Sequence, residues 1–133
     1  MFKENKIKFM KKRILYVEDN PNNRQLIRRI MKAEGHELLE ATDGESGWNV
    51  AARERPDFIL IDLSLPGIDG LELTRIIRAD PDLGHIPIVA LTAHGDADVE
   101  RMARQAGCDD FLHKPANTHK IRQVLGRFLS MET

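Results

Sequence analysis

Five short apolar runs punctuate the chain, and most are followed by segments whose apolar residues recur every three or four positions. The first run, Ile14-Leu15-Tyr16-Val17, ends in Glu18-Asp19-Asn20-Pro21. Runs of this length without polar alternation suit strands buried on both faces of a parallel sheet. Asn20 can cap a helix and Pro21 suits its first turn. Leu26, Ile27, Ile30 and Met31 then share one helical face, and Gly35 is a natural stop. A weaker strand is expected at Glu37–Ala41, followed by a helix that carries Trp48, Ala51 and Ala52 inward. Pro56-Asp57 turns the chain into Phe58-Ile59-Leu60-Ile61-Asp62. Pro66-Gly67 and Asp69-Gly70 mark a loop, and Leu73, Ile76 and Ile77 define a third helix. Pro87 opens Ile88-Val89-Ala90-Leu91-Thr92. A fourth helix is expected to bury Val99, Met102, Ala103 and Ala106 and to stop at Gly107. Phe111-Leu112 forms a short fifth strand closed by Lys114-Pro115, and Ile121, Val124, Leu125, Phe128 and Leu129 form the stripe of a last helix.

Strand and helix thus alternate five times. This predicts an α/β fold, a five-stranded parallel sheet with helices on both faces joined by right-handed crossovers. Ligands of such sheets sit at the carboxyl ends of the strands. The 133 residues are enough for one domain, since domains peak at roughly 100–150 residues. We place it at 13–130 and expect no effector domain. Residues 1–12 read as a basic tail, with five lysines against Glu4; the segment lacks the apolar stretch of a secretory signal.

Charge narrows the function. Lysines and arginines number 20 and aspartates and glutamates 21, a balance that argues against direct nucleic-acid binding. The single cysteine, Cys108, excludes an internal disulfide and a cysteine-cluster zinc site; a buried, inert thiol is expected. No apolar run approaches the ~20 residues of a membrane span. A cytoplasmic location is expected.

The chemistry gathers at one rim. Strand one ends in Glu18 and Asp19, strand three in Asp62, strand four in Thr92 and strand five in Lys114. Three carboxylates brought close repel one another unless neutralised. A hard divalent cation does this, and Mg²⁺ prefers carboxylate and water oxygens. A carboxylate can also act as a nucleophile towards a phosphoryl group, a reaction that asks mainly for positioning and charge neutralisation. Asp62, the lone carboxylate closing the most apolar strand, is the candidate nucleophile. Glu18 and Asp19 read as the metal pair. Thr92 would hydrogen-bond a phosphoryl oxygen and Lys114 would supply positive charge.

Several alternatives lack their motifs. There is no G-x-x-x-x-G-K-[ST] loop for a nucleotide, no G-x-G-x-x-G after strand one and no G-x-S-x-G elbow. Asp62 is followed by Leu63-Ser64, so the paired aspartates of haloacid dehalogenase-type phosphatases are absent. A Mg²⁺-dependent phosphatase is therefore disfavoured.

Val17-Glu18-Asp19-Asn20, the segment Asp62-Leu63-Ser64-Leu65-Pro66-Gly67-Ile68-Asp69-Gly70, Ala90-Leu91-Thr92-Ala93 and Lys114-Pro115 together resemble the receiver domain of two-component response regulators. The likeness spans Arg13 to Leu129 and is nearest to stand-alone receivers and to receivers inside hybrid kinases. It implies a flavodoxin-like strand order 2-1-3-4-5. It also implies that Asp62 accepts a phosphoryl group from a phosphohistidine of a histidine kinase or phosphotransfer protein. The resemblance further implies that Mg²⁺ would be held at the acidic pocket of Glu18, Asp19 and Asp62, with the Ser64 backbone carbonyl completing the set. Thr92 and Phe111 would be the switch pair, with Phe lacking the hydroxyl of the frequent tyrosine. Ser64 and His94 stand where rates are tuned. The output would be binding to a downstream protein, as a monomer or a phosphorylation-dependent dimer, without catalytic turnover. A scaffold that works without phosphorylation is the alternative, and the intact set of site residues speaks against it. Arg24 and Arg28, on a basic side of the first helix, are candidates for docking the phosphodonor.

Overall fold

The alternation of apolar runs and helical stripes becomes five β/α units in the computed structural model, which describes residues 11–64, 69–93, 97–115 and 117–129. The elements are β1 (Arg13–Val17), α1 (Pro21–Glu34), β2 (Glu37–Ala41), α2 (Gly44–Glu54), β3 (Phe58–Asp62), α3 (Gly70–Ala79), β4 (Ile88–Thr92), α4 (Ala97–Ala106), β5 (Asp110–His113) and α5 (Thr118–Leu129). All neighbouring strands are parallel, in the order β2-β1-β3-β4-β5.

The strand side chains alternate between two cores, as a period of two requires. Leu15, Val17, Ile59, Ile61, Ile88 and Ala90 face α2, α3 and α4, where Ala51, Leu73, Ile77 and Ala103 close the layer. Ile14, Tyr16, Phe58, Leu60, Val89 and Leu91 face α1 and α5 and meet Ile27, Ile30, Met31, Ile121, Val124 and Leu125. Every residue of β3 and β4 is buried, which is why these runs show no polar alternation.

The helices begin where short polar side chains can satisfy their free N–H groups. Asn20 accepts from Asn22 N and Asn23 N, with Pro21 in the first turn, and Gly35 ends α1 in a left-handed conformation at φ 81°. Asp43 forms a reciprocal capping box with Ser46, and Asp69 accepts from Glu72 N.

Two expected core residues lie outside. Met102 is 44% exposed, whereas Ala103 and Ala106 are buried and Val99 is half-buried. The buried stripe of α4 therefore runs through positions 99, 103 and 106, and Met102 lies about 100° around the helix from Ala103. Ala52 is also exposed. The buried stripe of α2 is Gly44, Gly47 and Ala51, with Trp48 half-buried at its flank. A Cβ at position 47 would come within 3.0 Å of Leu73 Cδ2 and 3.1 Å of Val17 Cγ2, so the glycine side of α2 is the side that approaches the sheet.

The last residue of the basic tail, Lys12, is tied to the sheet edge. Lys12 donates its backbone N–H to His36 Nδ1 at 3.1 Å, and its carbonyl accepts from Glu37 N at 2.9 Å. Lys12 thus extends the β1–β2 frame. The rest of the tail before Lys11 lies outside the described residues.

Candidate functional site

Register decides which residues meet. Val17 pairs with both Ala41 and Ile61, Asp62 with Leu91, and Thr92 with His113. The carboxyl ends of β1, β3, β4 and β5 therefore form one row. Glu18 and Asp19 leave β1 there, Asp62 ends β3, Thr92 ends β4 and Lys114 follows β5. Glu18, Asp62 and Thr92 are almost wholly buried, at 0%, 2% and 2% exposure, and Asp19 is exposed.

Lys114, 96 positions from Glu18 in sequence, closes the group. Its Nζ lies 2.9 Å from Glu18 Oε1, 3.2 Å from Glu18 Oε2 and 3.1 Å from Asp62 Oδ2. The lysine is placed by its backbone N–H, which donates to the Thr92 carbonyl at 2.7 Å; the Lys114-Pro115 peptide is cis. Burial disfavours the ammonium. The hydrogen bond to Glu18 and the charges of Asp62 and Glu18 outweigh that effect and hold its pKa above the ordinary lysine value.

Asp62 is fixed from behind. The Ser64 N–H donates to Asp62 Oδ1 at 3.1 Å. Gly70, the first residue of α3, lies so close that a Cβ there would stand 2.5 Å from the Asp62 carbonyl oxygen. Only glycine lets the α3 N-terminus approach this strand end. The nucleophile candidate thus presents Oδ2 to the ammonium while Oδ1 is held by backbone.

One carboxylate oxygen from each of Glu18, Asp19 and Asp62 lies within 4.8 Å of the others. Lys114 balances one of the three negative charges. At about 4 Å, like charges repel by roughly 4 kcal/mol at the effective dielectric of a protein surface. An all-oxygen set with excess negative charge suits a hard divalent cation of the Mg²⁺ type rather than zinc.

Glu18 holds more partners than the sequence suggested. The Tyr16 hydroxyl donates to Glu18 Oε1 at 2.9 Å, and the Asn20 N–H donates to Oε2 at 3.3 Å. Burial, then the charge of Glu18, push the Tyr16 phenol far above its ordinary pKa, so it remains a protonated donor. Reading Tyr16 only as part of an apolar run missed this. The available signal was the period of two, which puts residues 16 and 18 on one face, together with the need of a buried tyrosine hydroxyl for a partner.

The arginines proposed for docking are engaged within the chain. Arg24 Nη1 donates to the carbonyls of Glu18 at 3.2 Å and Asp19 at 3.3 Å, while its Nε lies 3.4 Å from Glu40 Oε1. Arg24 thus braces the loop that carries the acidic pair. Arg28 donates from Nε to Glu40 Oε2 at 2.7 Å and stays 52% exposed, so it remains reachable. Phe111 is half-buried against the α2/α3/α4 core and meets His113 edge-on, with ring centroids 5.4 Å apart. With Leu112, His113, Val124 and Arg127 it lines an open groove of about 670 Å³ between α4, β5 and α5. His94 lies outside the described residues.

Three comparisons bear on this arrangement. The family model of the response regulator receiver domain matches residues 14–126. The polar-differentiation response regulator DivK of Brucella anthropi is 35% identical over 120 residues, covering 90% of this chain and 98% of DivK. The receiver domain of the sensor histidine kinase PA1611 of Pseudomonas aeruginosa, solved with a magnesium ion coordinated in its active-site cleft, is 36% identical. Its TM-score is 0.83, with 90% of this chain and 98% of that chain covered. The chemotaxis response regulator CheY4 of Vibrio cholerae aligns with a TM-score of 0.85 at 26% identity, over 90% of this chain and all of that chain.

Proposed function

The chain belongs to the response regulator receiver domain family, and on that premise we propose that it is a phosphorylation switch whose acceptor is Asp62. The observation that carries this reading is the ammonium of Lys114 held between Glu18 and Asp62 at 2.9 and 3.1 Å. That geometry joins the carboxyl ends of β1, β3 and β5 around one ammonium, which Asp62 meets through Oδ2.

Receiver domains take their phosphoryl group from histidine kinases or phosphotransfer proteins. In the reaction proposed here, Asp62 Oδ2 attacks the phosphorus of a phosphohistidine. The P–O bond forms as the P–N bond breaks, and the imidazole leaves with the electron pair and takes up a proton. Asp19 and Asp62 would hold Mg²⁺, with Glu18 beside it and the Ser64 carbonyl completing the protein donors. When bound, the ion supplies charge neutralisation for the phosphoryl oxygens. Lys114 passes from Asp62 to a phosphoryl oxygen. The Thr92 hydroxyl donates to another, and the space it leaves admits Phe111. The output surface is then the groove between α4, β5 and α5, which a downstream protein or a second copy would read. The switching unit is the segment 13–130, with Lys12 at its edge. Ser64 and His94 would tune the lifetime of the phosphorylated state. Arg28 remains as a docking contact for the donor, whereas Arg24 serves the site loop. No described helix is long and apolar enough to cross a membrane, and we place the protein in the cytoplasm with its kinase-side partner.

The test is incubation with acetyl phosphate and Mg²⁺, followed by intact-mass analysis. One labile phosphoryl group should be gained by the wild type and none by Asp62→Asn, whose amide is no comparable nucleophile. Labelling of Asp62→Asn at the wild-type rate would overturn the assignment. Steady turnover of unrelated phosphate esters would favour a phosphatase instead.

A further inference from the structure

The wholly buried carboxylate of Glu18 needs donors, because an ionised group without partners in the interior is strongly disfavoured. Two of its hydrogen-bond donors are familiar from the rim, Lys114 Nζ and the backbone of Asn20. The third, the Tyr16 hydroxyl at 2.9 Å, comes from inside the α1/α5 core. Tyr16 is 1% exposed and packs there with Ile14, Ile27 and Leu60. A phenylalanine would satisfy that packing, so the hydroxyl has to be explained by Glu18.

We propose that Tyr16 is a positioning residue of the acidic site: its hydroxyl locks the Glu18 carboxylate in the orientation that serves Lys114 and a divalent cation. This rests on the reading of the site given above and extends it to a residue outside the rim. Three details set the role. Tyr16 and Lys114 both meet Glu18 Oε1, each at 2.9 Å, so the phenol fills one of that oxygen's two acceptor positions and leaves the other aimed at the ammonium. Second, once Lys114 has moved, the phenol still neutralises part of the buried charge, so Glu18 keeps its place. Third, bulk solvent cannot substitute. Glu18 and Tyr16 are 0% and 1% exposed, so no bulk water reaches the bond between them. Partners that orient groups around a metal in this way typically cost roughly 10- to 100-fold in metal affinity when removed.

The chain contains one tyrosine, which gives a probe that needs no mutation. With the tyrosine ring labelled at Cζ with ¹³C, Mg²⁺ titrated into the wild type should shift that resonance with the Kd measured by calorimetry. A resonance that stays still through saturation overturns the proposal. Tyr16→Phe should keep the far-UV spectrum and weaken Mg²⁺ binding about tenfold. It should also lower the maximal phosphorylation rate with acetyl phosphate at saturating Mg²⁺. A role limited to packing would leave Mg²⁺ affinity and phosphorylation rate unchanged, because phenylalanine fills the same space, and that result refutes the idea. In a Glu18→Gln background, Tyr16→Phe should have no further effect on Mg²⁺ affinity; a second full tenfold loss would mean the hydroxyl acts elsewhere. Asp19→Asn separates the two readings. If it abolishes Mg²⁺ binding while Tyr16→Phe binds normally, only the Tyr16 proposal falls. If Asp19→Asn binds Mg²⁺ normally, the cation site itself has failed and the proposal with it. If Tyr16→Phe does not fold, the wild-type resonance decides.

Discussion

Replacing Lys114 by Met should destabilise the protein most when no divalent cation is present. The methionine keeps most of the stem and removes the charge. Glu18, with none of its side chain exposed, and Asp62, with 4% exposed, then lose the cation they share. Removing one partner of a buried ion pair costs about 3–5 kcal/mol. Lys114 retains 19% of its side-chain surface, and the Tyr16, Asn20 and Ser64 donors remain. The low end applies, about 3 kcal/mol. For a domain between the sizes usually tabulated, that corresponds to a fall in Tm of roughly 10 °C.

The same loss should be partly reversible by chemistry. A divalent cation in the acidic group replaces the missing charge. The native state gains RT ln(1 + [L]/Kd), about 1.4 kcal/mol at ten times the Kd. Mg²⁺ should therefore raise the Tm of Lys114→Met by more than that of the wild type, since the variant has no ammonium competing for the carboxylates. The lysine term also has a pH signature. Its folded pKa is raised, so its stabilisation is complete below the ordinary value of 10.5 and is lost as pH rises through the folded value. The wild type should lose this increment in alkali, and Lys114→Met should not. Thermal melts in EDTA and in millimolar Mg²⁺ give the measurement. A loss below about 1 kcal/mol in EDTA, as for an ordinary surface pair, would refute the coupling of Lys114 to two buried carboxylates. So would an equal loss with and without the cation.

Three further outcomes follow from other parts of the molecule. Arg78 donates to the carbonyls of Gly107, Gly84 and Ile86 and to Asp109 Oδ2, at 2.8, 3.1, 2.6 and 2.6 Å. Arg78→Ala should therefore cost about 2–4 kcal/mol in urea unfolding, because charged hydrogen bonds are lost and carbonyls are left unpaired; a loss under about 1 kcal/mol would contradict this. His36 accepts the Lys12 N–H and burial lowers its pKa. Its contribution is present above the ordinary value of 6.5 and is lost as pH falls through the folded value, so acid sensitivity below that point should shrink in His36→Gln; identical pH profiles would refute it. Thr92→Ala should still gain a phosphoryl group yet lose most of the phosphorylation-dependent gain in partner binding, which a coupling of about 1–3 kcal/mol sets at 5- to 150-fold; full binding would sink the Thr92–Phe111 switch.

The two central strands were the most legible elements, for a physical reason. Phe58–Asp62 and Ile88–Thr92 are buried on both faces, so no solvent contact diluted their apolar signal. The edge strand Glu37–Ala41 carries an exposed glutamate and three half-buried residues, and it read correspondingly weakly. Alanines and methionines carried little information about direction. Met102 and Ala52 fit a helical stripe within the tolerance of spacing, but the actual stripe of α2 is set by Gly47, where backbone rather than side chain makes the approach. A period locates an apolar face only to within one position, and small residues on either side of it look alike.

At the site, the sequence showed which groups each strand delivers but not how they are held. Spacing put Asp62 and Lys114 on one rim because both close strands. It could not show that Lys114 lies between Glu18 and Asp62, since that depends on the β4–β5 register and on the bond from Lys114 N to the Thr92 carbonyl. The arginines of α1 show the same gap in reverse. Their run of positive charge suggested a face for a partner, yet Arg24 reaches the Glu18 and Asp19 carbonyls and shares Glu40 with Arg28. Glu40 sits opposite Tyr16 across the β1–β2 pair, and nothing in a linear reading connects position 40 with position 24. Two residues outside the rim, Tyr16 and Arg24, thus control the two halves of the acidic pair, one through the Glu18 side chain and the other through the backbone after β1. Charge at the rim is legible wherever an apolar strand ends in a carboxylate. The orientation of that charge is set by residues whose sequence neighbours point elsewhere.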